Sequence, residues 1–217
     1  MHRKTLFAIA LAFAWCAVPV KVQAQTANSQ FSGNAGLPSA RNATAQAAQM
    51  VPAQAVLAQS LDSNSVQPDE QFKAVLTGKI RLKNGVELPK GTALLGTAVT
   101  ESTPEAAKAK LALRFTQADL KRGKTIPIEA TIVSVSPPVD DATLDTDYYS
   151  QPDPWDGKSL TFDAAGVLSG VDLHSRVGGE NSGVFMSTKN TDMKLAARTQ
   201  IALAIGAPET NGMNGGF

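Results

Sequence analysis

Residues 72–100, FKAVLTGKIRLKNGVELPKGTALLGTAVT, decide the fold class. Apolar and polar residues nearly alternate from Phe72 to Thr77, the pattern of a half-buried strand. Asn84-Gly85 stands between IRLK and VEL, and this dipeptide favours positive φ at both central positions of a tight hairpin. Pro89-Lys90-Gly91 predicts a second turn, with proline presetting φ at the first central position and glycine relieving crowding at the end. A strand over residues 93–100 follows. The stretch therefore predicts an antiparallel meander of strand, turn, strand, turn, strand.

The same reading extends outward in both directions. Residues 51–61, VPAQAVLAQSL, read as a strand, because Pro52 and the alternation outweigh the alanines. Residues 62–65 form a polar turn cluster. Gly78 marks a bulge or bend. From 108 to 116, Ala109, Leu111, Leu113 and Phe115 fall on one face, with Lys108, Lys110, Arg114 and Thr116 on the other. A charged turn around Gly123 leads into a strand over residues 126–136. There Ile126, Ile128, Ala130 and Ile132 oppose Glu129 and Thr131. Pro127 predicts an edge position or a strand start, and Pro137-Pro138 ends the run. Residues 139–183 read as one long polar, glycine-containing loop, a feature that is functional or mobile inside a compact domain. Regular pattern returns at 183–187 and closes over 195–205, with Ile201, Leu203 and Ile205 on one face. Leu88, Thr92 and Leu94 share their spacing with Leu195, Thr199 and Ile201, as two similar corners of one barrel would.

The N-terminus has the form of a secretory signal. Arg3 and Lys4 make a basic leader, residues 6–20 an apolar run short for a bilayer span, and Val22 and Ala24 a small-residue cleavage site. Cleavage is expected before Gln25, with an uncleaved inner-membrane anchor as the alternative. Loss of Arg3, Lys4 and Lys21 from 20 basic residues leaves 17 against 19 acidic ones, a net charge near −2. Such a balance offers no basic excess to displace counterions from phosphates, so nucleic acid is not an expected partner. Cys16, the single cysteine, leaves with the signal, so no disulfide framework is expected. Residues 25–50 and 206–217 are poor in large apolar side chains and read as a disordered lead-in and a flexible tail. The expected organisation is signal 1–24, lead-in 25–50, a single barrel domain 51–205 and tail 206–217. No transmembrane span is expected once the signal is gone.

Chemistry-bearing residues are sparse. His174, in VDLHSR, is the only histidine after the signal, and a zinc site of imidazoles and thiolates would need several such ligands. Asp172 and His174 share a strand face, so contact between them is possible, yet no nucleophile elbow accompanies them. Asp140, Asp141, Asp145, Asp147, Asp153 and Asp156 cluster in one loop without EF-hand spacing. That loop also carries Tyr148, Tyr149 and Trp155, which fit either a glycan- or peptide-binding surface or a plug in the barrel mouth. No glycine-rich phosphate loop is placed between a strand and a helix. No metal or cofactor is expected.

In order along the chain, VLAQSLDSNS, the strand at 72–82, the LPKGTALLG corner at 88–96, LALRFTQADL at 111–120 and IPIEATIVSV resemble the β-barrel domain of the TrbI-like scaffold proteins of conjugation and type IV secretion. GVDLHSR at 170–176 is similar to a glycine-rich segment of that family, again followed by a final strand. The resemblance implies a strongly curved barrel that works in assembly without catalysis. The family's uncleaved membrane helix, its proline-rich arm and its apolar helical hairpin have no counterpart here, so a pore role is not expected.

The sequence thus predicts an all-β fold, a small, strongly curved antiparallel β-barrel with one long polar loop. It predicts an exported, periplasmic or secreted module that binds an envelope protein or assembles with itself. Tyr148, Tyr149, Trp155, Asp172, His174 and Arg176 are the candidate binding residues, and no catalytic residue is assigned. The competing readings are an envelope hydrolase using acids of the 140–180 region and a carbohydrate-binding module using the aromatic loop.

Overall fold

The strand that opens at Glu70 does not pair with the apolar run that follows it. β3 (Glu70–Leu76) pairs directly with β6 (Ala93–Glu101), and β4 (Ile80–Arg81) with β5 (Glu87–Leu88) forms a separate two-residue ribbon folded out between them. The expected meander is therefore a hairpin with an excursion. The computed structural model describes residues 40–101, 110–120, 123–138, 155–189 and 192–208, all within the unit Leu37–Phe217. Its other strands are β1 (Val51–Leu57), β2 (Leu61–Asp62), β7 (Lys110–Leu120), β8 (Lys124–Pro127), β9 (Glu129–Pro138), β10 (Thr161–Leu168), β11 (Val171–Arg176), β12 (Gly183–Ser187), β13 (Lys194–Leu195) and β14 (Thr199–Gly206).

One sheet runs in the order β10-β11-β12-β7-β6-β3-β1-β14-β9, with β8 paired to β7, and every pairing is antiparallel. The sheet curls until its last strand returns to its middle. The Ile132 N–H of β9 donates to Ser182 O at 2.7 Å, and Ile128 N–H donates to Thr116 O of β7 at 3.0 Å. The result is a nearly closed barrel, and the predicted fold class holds. Its interior is filled by Leu57, Phe72, Leu76, Leu94, Leu111, Leu113, Ile132, Leu173, Phe185, Ile201 and Ile205, all at most 1% exposed. Gly96 lies under Phe72, where a Cβ would stand 2.9 Å from the ring and would meet Arg114 O as well. That close approach lets Phe72 stack edge-on with Phe115, centroids 4.9 Å apart.

Within the barrel, β1, β14 and β9 repeat the register of β3, β6 and β7, while β8 and β10 to β12 have no counterpart. Val56 pairs with Val75, and a pseudo-twofold axis passes between them. On one side β1 pairs with β14 from Val51↔Ile205 to Val56↔Gln200, and on the other β3 pairs with β6 from Glu70↔Ala98 to Val75↔Ala93. The next strand out, β9 or β7, shifts register at matching places, between Ala202 and Leu203 in one half and Leu95 and Gly96 in the other. The short ribbons match too, Leu61↔Leu195 against Ile80↔Leu88. Ala53 opposite Leu203 corresponds to Phe72 opposite Gly96, so each half sets one large residue against one small one and the two halves reverse the choice. The spacing shared by Leu88-Thr92-Leu94 and Leu195-Thr199-Ile201 marks the two corners. Thr92 and Thr199 each cap their turn, donating Oγ1 to Pro89 O at 2.8 Å and to Ala196 O at 2.7 Å.

Turn chemistry departs from the expectations in detail. At Asn84-Gly85 only Gly85 has positive φ (86°), and Gly85 N–H donates to Leu82 O. The loop is thus a three-residue connection with a left-handed glycine rather than a two-residue one. At the next corner Thr92 N–H donates to Pro89 O, so proline precedes the central pair Lys90-Gly91, with Gly91 at φ 83°.

Two larger expectations are corrected. The lead-in expected through residue 50 is helical over α1 (Ala40–Gln49). Ala43, Ala47 and Met50 recur at helical spacing and are buried, and the small outward residues Ala202 and Ala204 of β14 let the helix lie close. Tertiary packing, which no local composition reveals, orders this segment, and Pro52 biases the chain to extended structure straight after it. The loop expected over 139–183 contains two strands, β10 and β11, and polar residues alternating on their outer face masked them, while β12 falls where regular pattern is expected to return. Residues 139–154 lie outside the described ones. Among the described residues no helix is long and apolar enough to cross a membrane.

Candidate functional site

Asp172, His174 and Arg176 alternate along β11 with the buried Val171, Leu173 and Ser175, so all three point outward. Their neighbours come from adjoining strands. His174 lies between Asp163 of β10 and Val184 of β12, and Asp172 between Ala165 and Met186. The His174 ring pairs with Asp163, Nδ1 to Oδ1 at 2.8 Å, not with Asp172. A directly opposed residue on the next strand is closer than one two places along the same strand, which is why the cross-strand partner wins. A carboxylate only accepts, so Nδ1 carries the proton and Nε2 is left for solvent. The pair is 45% and 65% exposed. On the other flank Val184 presents no nucleophile.

Trp155 is neither exposed nor a plug in the barrel mouth. It is 7% exposed and belongs to a second apolar layer outside the barrel, with Ala47 and Met50 at α1, Val133 of β9, Val177, and Ala202 and Ala204 of β14. Phe162 tilts against it, centroids 5.5 Å apart. Asp156, next in sequence, makes a tight turn. Its Oδ1 accepts the backbone N–H of Lys158 at 2.8 Å and of Ser159 at 3.1 Å. The bond from Lys158 above all holds its carboxyl below the ordinary value of 3.8, against an opposing desolvation effect, with the Ser159 bond and the Lys158 charge helping. Tyr148, Tyr149 and the remaining loop aspartates lie outside the described residues. Among the described residues no group of three His, Cys, Asp or Glu side chains is placed to hold a metal.

The structure points instead to a groove on the seam where β9 returns to β7. It encloses about 410 Å³, within the range of about 300–1,000 Å³ usual for ligand sites. Phe115, Ile128 and Ala130 give it apolar walls, and Arg114, Glu129 and Glu180 supply charge. Gln46 of α1 reaches over and donates its Nε2–H to Glu129 Oε2. Ser182 stands at the inner end. Its carbonyl takes the Ile132 N–H and its Oγ accepts the Phe115 N–H at 3.0 Å, so one residue joins equivalent positions of the two halves. No family model and no curated protein matches this chain. The groove was not legible in the sequence. Arg114 and Glu129 each read as solvent-face members of an alternating strand, Gln46 fell in the expected lead-in, and nothing local distinguishes Glu180.

The groove and the outer face of β11 differ in character. The first is concave, amphipathic and bordered by main chain. The second is a charged row on one strand face, where the Asp163–His174 pair is solvated. Concave sites with a few polar groups hold ligands better than flat rows do, because they remove more surface from water per contact.

Proposed function

We propose that this chain is an exported, non-enzymatic β-barrel module that serves the cell envelope by binding another protein or a second copy of itself, in the manner of the TrbI-like scaffold barrels it resembles. One observation carries this reading: a barrel with a buried apolar interior bears an amphipathic groove at its seam, a surface suited to contact. The N-terminal pattern of Arg3, Lys4, an apolar run and Val22-x-Ala24 supports export. The Asp163–His174 pair gives little support to a hydrolase, since its row offers no serine and both members sit in solvent. A carbohydrate surface would have to do without Trp155, which is committed to the outer layer.

Two measurements test the proposal. Mass spectrometry of the exported protein is expected to find Gln25 at its N-terminus, and membrane-bound protein retaining Met1 would overturn the export reading. Photocrosslinking from position 180 in intact cells is expected to trap one discrete envelope protein or a dimer. Turnover of a peptidoglycan or ester substrate that vanishes in His174→Ala with the fold intact would overturn the non-enzyme reading.

A further inference from the structure

The two short ribbons carry opposite charge. β1 and β3 run antiparallel, and each ribbon begins just past the end of one of them, so the ribbons lie at opposite ends of that pair. Along β4 and the turn after it, half-buried Ile80 and buried Leu82 alternate with exposed Arg81 and Lys83, and Leu88 of β5 is buried. The apolar side of this ribbon packs onto the barrel core, so its cations face away from it. In the other ribbon Leu61 and Leu195 take the inward role. Asp62 and Lys194 stand there where the first ribbon has Arg81 and Glu87, so the charges are exchanged at equivalent positions.

Beyond these pairs the two ends diverge further. Around β4 and β5, exposed Lys79, Arg81, Lys83 and Lys90 stand with one carboxylate, Glu87, which Lys79 Nζ approaches to 3.4 Å. Among the described residues neither Arg81 nor Lys83 has an ion-pair partner. Lys124 adds to this end. Val75, Ala93 and Asp119 sit side by side on β3, β6 and β7, and both the ribbon and the start of β8, with Lys124 opposite Leu120, lie beyond that row. β8 is two strands from β6, about 10 Å at the usual strand spacing. At the other end Ser63 N–H donates to Met193 O, which brings Asp192 beside Asp62. Together with Asp69 and Glu70, these carboxylates outnumber Lys194 and Arg198.

We infer that the β4–β5 end is a docking surface for an anionic lipid bilayer, whose phosphate headgroups Arg81, Lys83 and Lys124 meet. The chain without its signal has a net charge near −2, so attraction to phosphate has to come from one end alone. A plane meets that end and leaves the acidic end pointing away. Nucleic acid needs a longer basic track than one end of a barrel supplies. Half-buried Ile80 and Val86 lie among the cations and offer apolar contact at the headgroup level. Each basic side chain within a Debye length of the surface adds to the attraction.

This surface is separate from the seam groove, so vesicle binding and crosslinking from position 180 succeed or fail independently. The exported protein is floated with vesicles of mixed phosphatidylglycerol and phosphatidylcholine, and with vesicles of phosphatidylcholine alone. Binding is expected only to the first, and to fall as salt is raised. Arg81→Gln combined with Lys83→Gln is expected to weaken it about tenfold or more, and Lys124→Gln about fivefold. Asp192→Asn, at the acidic end, is expected to leave it unchanged. Should the double variant melt below the parent protein, Lys124→Gln is read in its place. Equal binding to both kinds of vesicle, parent-like binding by the charge-removing variants, or an equal loss in Asp192→Asn would each overturn the inference. Displacement by inorganic phosphate at matched phosphate concentration, or capture of an acidic protein or nucleic acid with no vesicle binding, would overturn the lipid assignment.

Discussion

Gly91 and Arg198 hold the same place in the two corners, at φ 83° and 67°. The amide of each donates to the end of the neighbouring long strand, Gly91 to Leu76 O and Arg198 to Leu57 O. Glycine adopts this conformation freely, while a residue with a Cβ is strained by about 1–2 kcal/mol. No atom lies within 4 Å of a Cβ built at Gly91. Gly91→Ala is therefore expected to cost about 1–2 kcal/mol through backbone strain alone, a loss that equilibrium urea unfolding would read with an unchanged slope. Asp156 gives a residue-scale prediction in pH. Its carboxyl is held below 3.8 by the Lys158 and Ser159 amides, so its contribution to stability is present above that value and is lost as pH falls through the lower folded value. Asp156→Ala is expected to melt below the parent protein at neutral pH, with the gap narrowing in acid beneath the ordinary carboxylate range. A gap independent of pH would show that the charge is not what holds the turn.

Among the elements, β9 and β14 carry two cores at once. Ile132, Val135, Ile201, Leu203 and Ile205 face the barrel, while Val133, Ala202 and Ala204 face α1 and Trp155. The register shift between Ala202 and Leu203 passes over Val133 and so turns it to the opposite face from Ile132 and Val135. Trp155→Ala empties the outer layer and is expected to cost about 3–5 kcal/mol, read as a fall in melting temperature of many degrees. Had Trp155 been an exposed contact residue, the same change would leave stability nearly untouched. Inside the barrel, Leu111, Leu113, Phe115, Ile128 and Ile132 are all at most 5% exposed, as their alternation predicts. Truncating any one of them to alanine is expected to cost about 2–5 kcal/mol by chemical denaturation.

For the molecule as a whole, closure depends on Ser182. Its carbonyl and hydroxyl bind Ile132 and Phe115, equivalent residues of the two halves, where β9 and β7 would otherwise part. Ser182 is 4% exposed, so its loss leaves a buried N–H without an acceptor. Ser182→Ala is expected to cost about 1–3 kcal/mol and to raise amide exchange at Phe115 ahead of global unfolding. Equal protection of Phe115 in parent and variant would remove Ser182 from this role.

The sequence by itself determined the fold class, the strands within residues 51–136, the buried faces of β7 and β14, and the two corners. These follow from local physics. A side-chain period of two, left-handed turn positions and a threonine closing its own turn all act within a few residues. What the tertiary structure alone decided is everything carried by contacts distant along the chain. α1 is helical because Ala202 and Ala204 receive it. Trp155 is buried because β9 has a second face to cover. His174 chooses Asp163 because β10 lies beside β11. The groove exists because the returning strand meets β7 directly at Ile128 and, farther along, only through Ser182. Periodicity shows which face of a strand is apolar, and it cannot show which strand will lie beside it, because pairing and closure are fixed by the summed packing of the whole barrel.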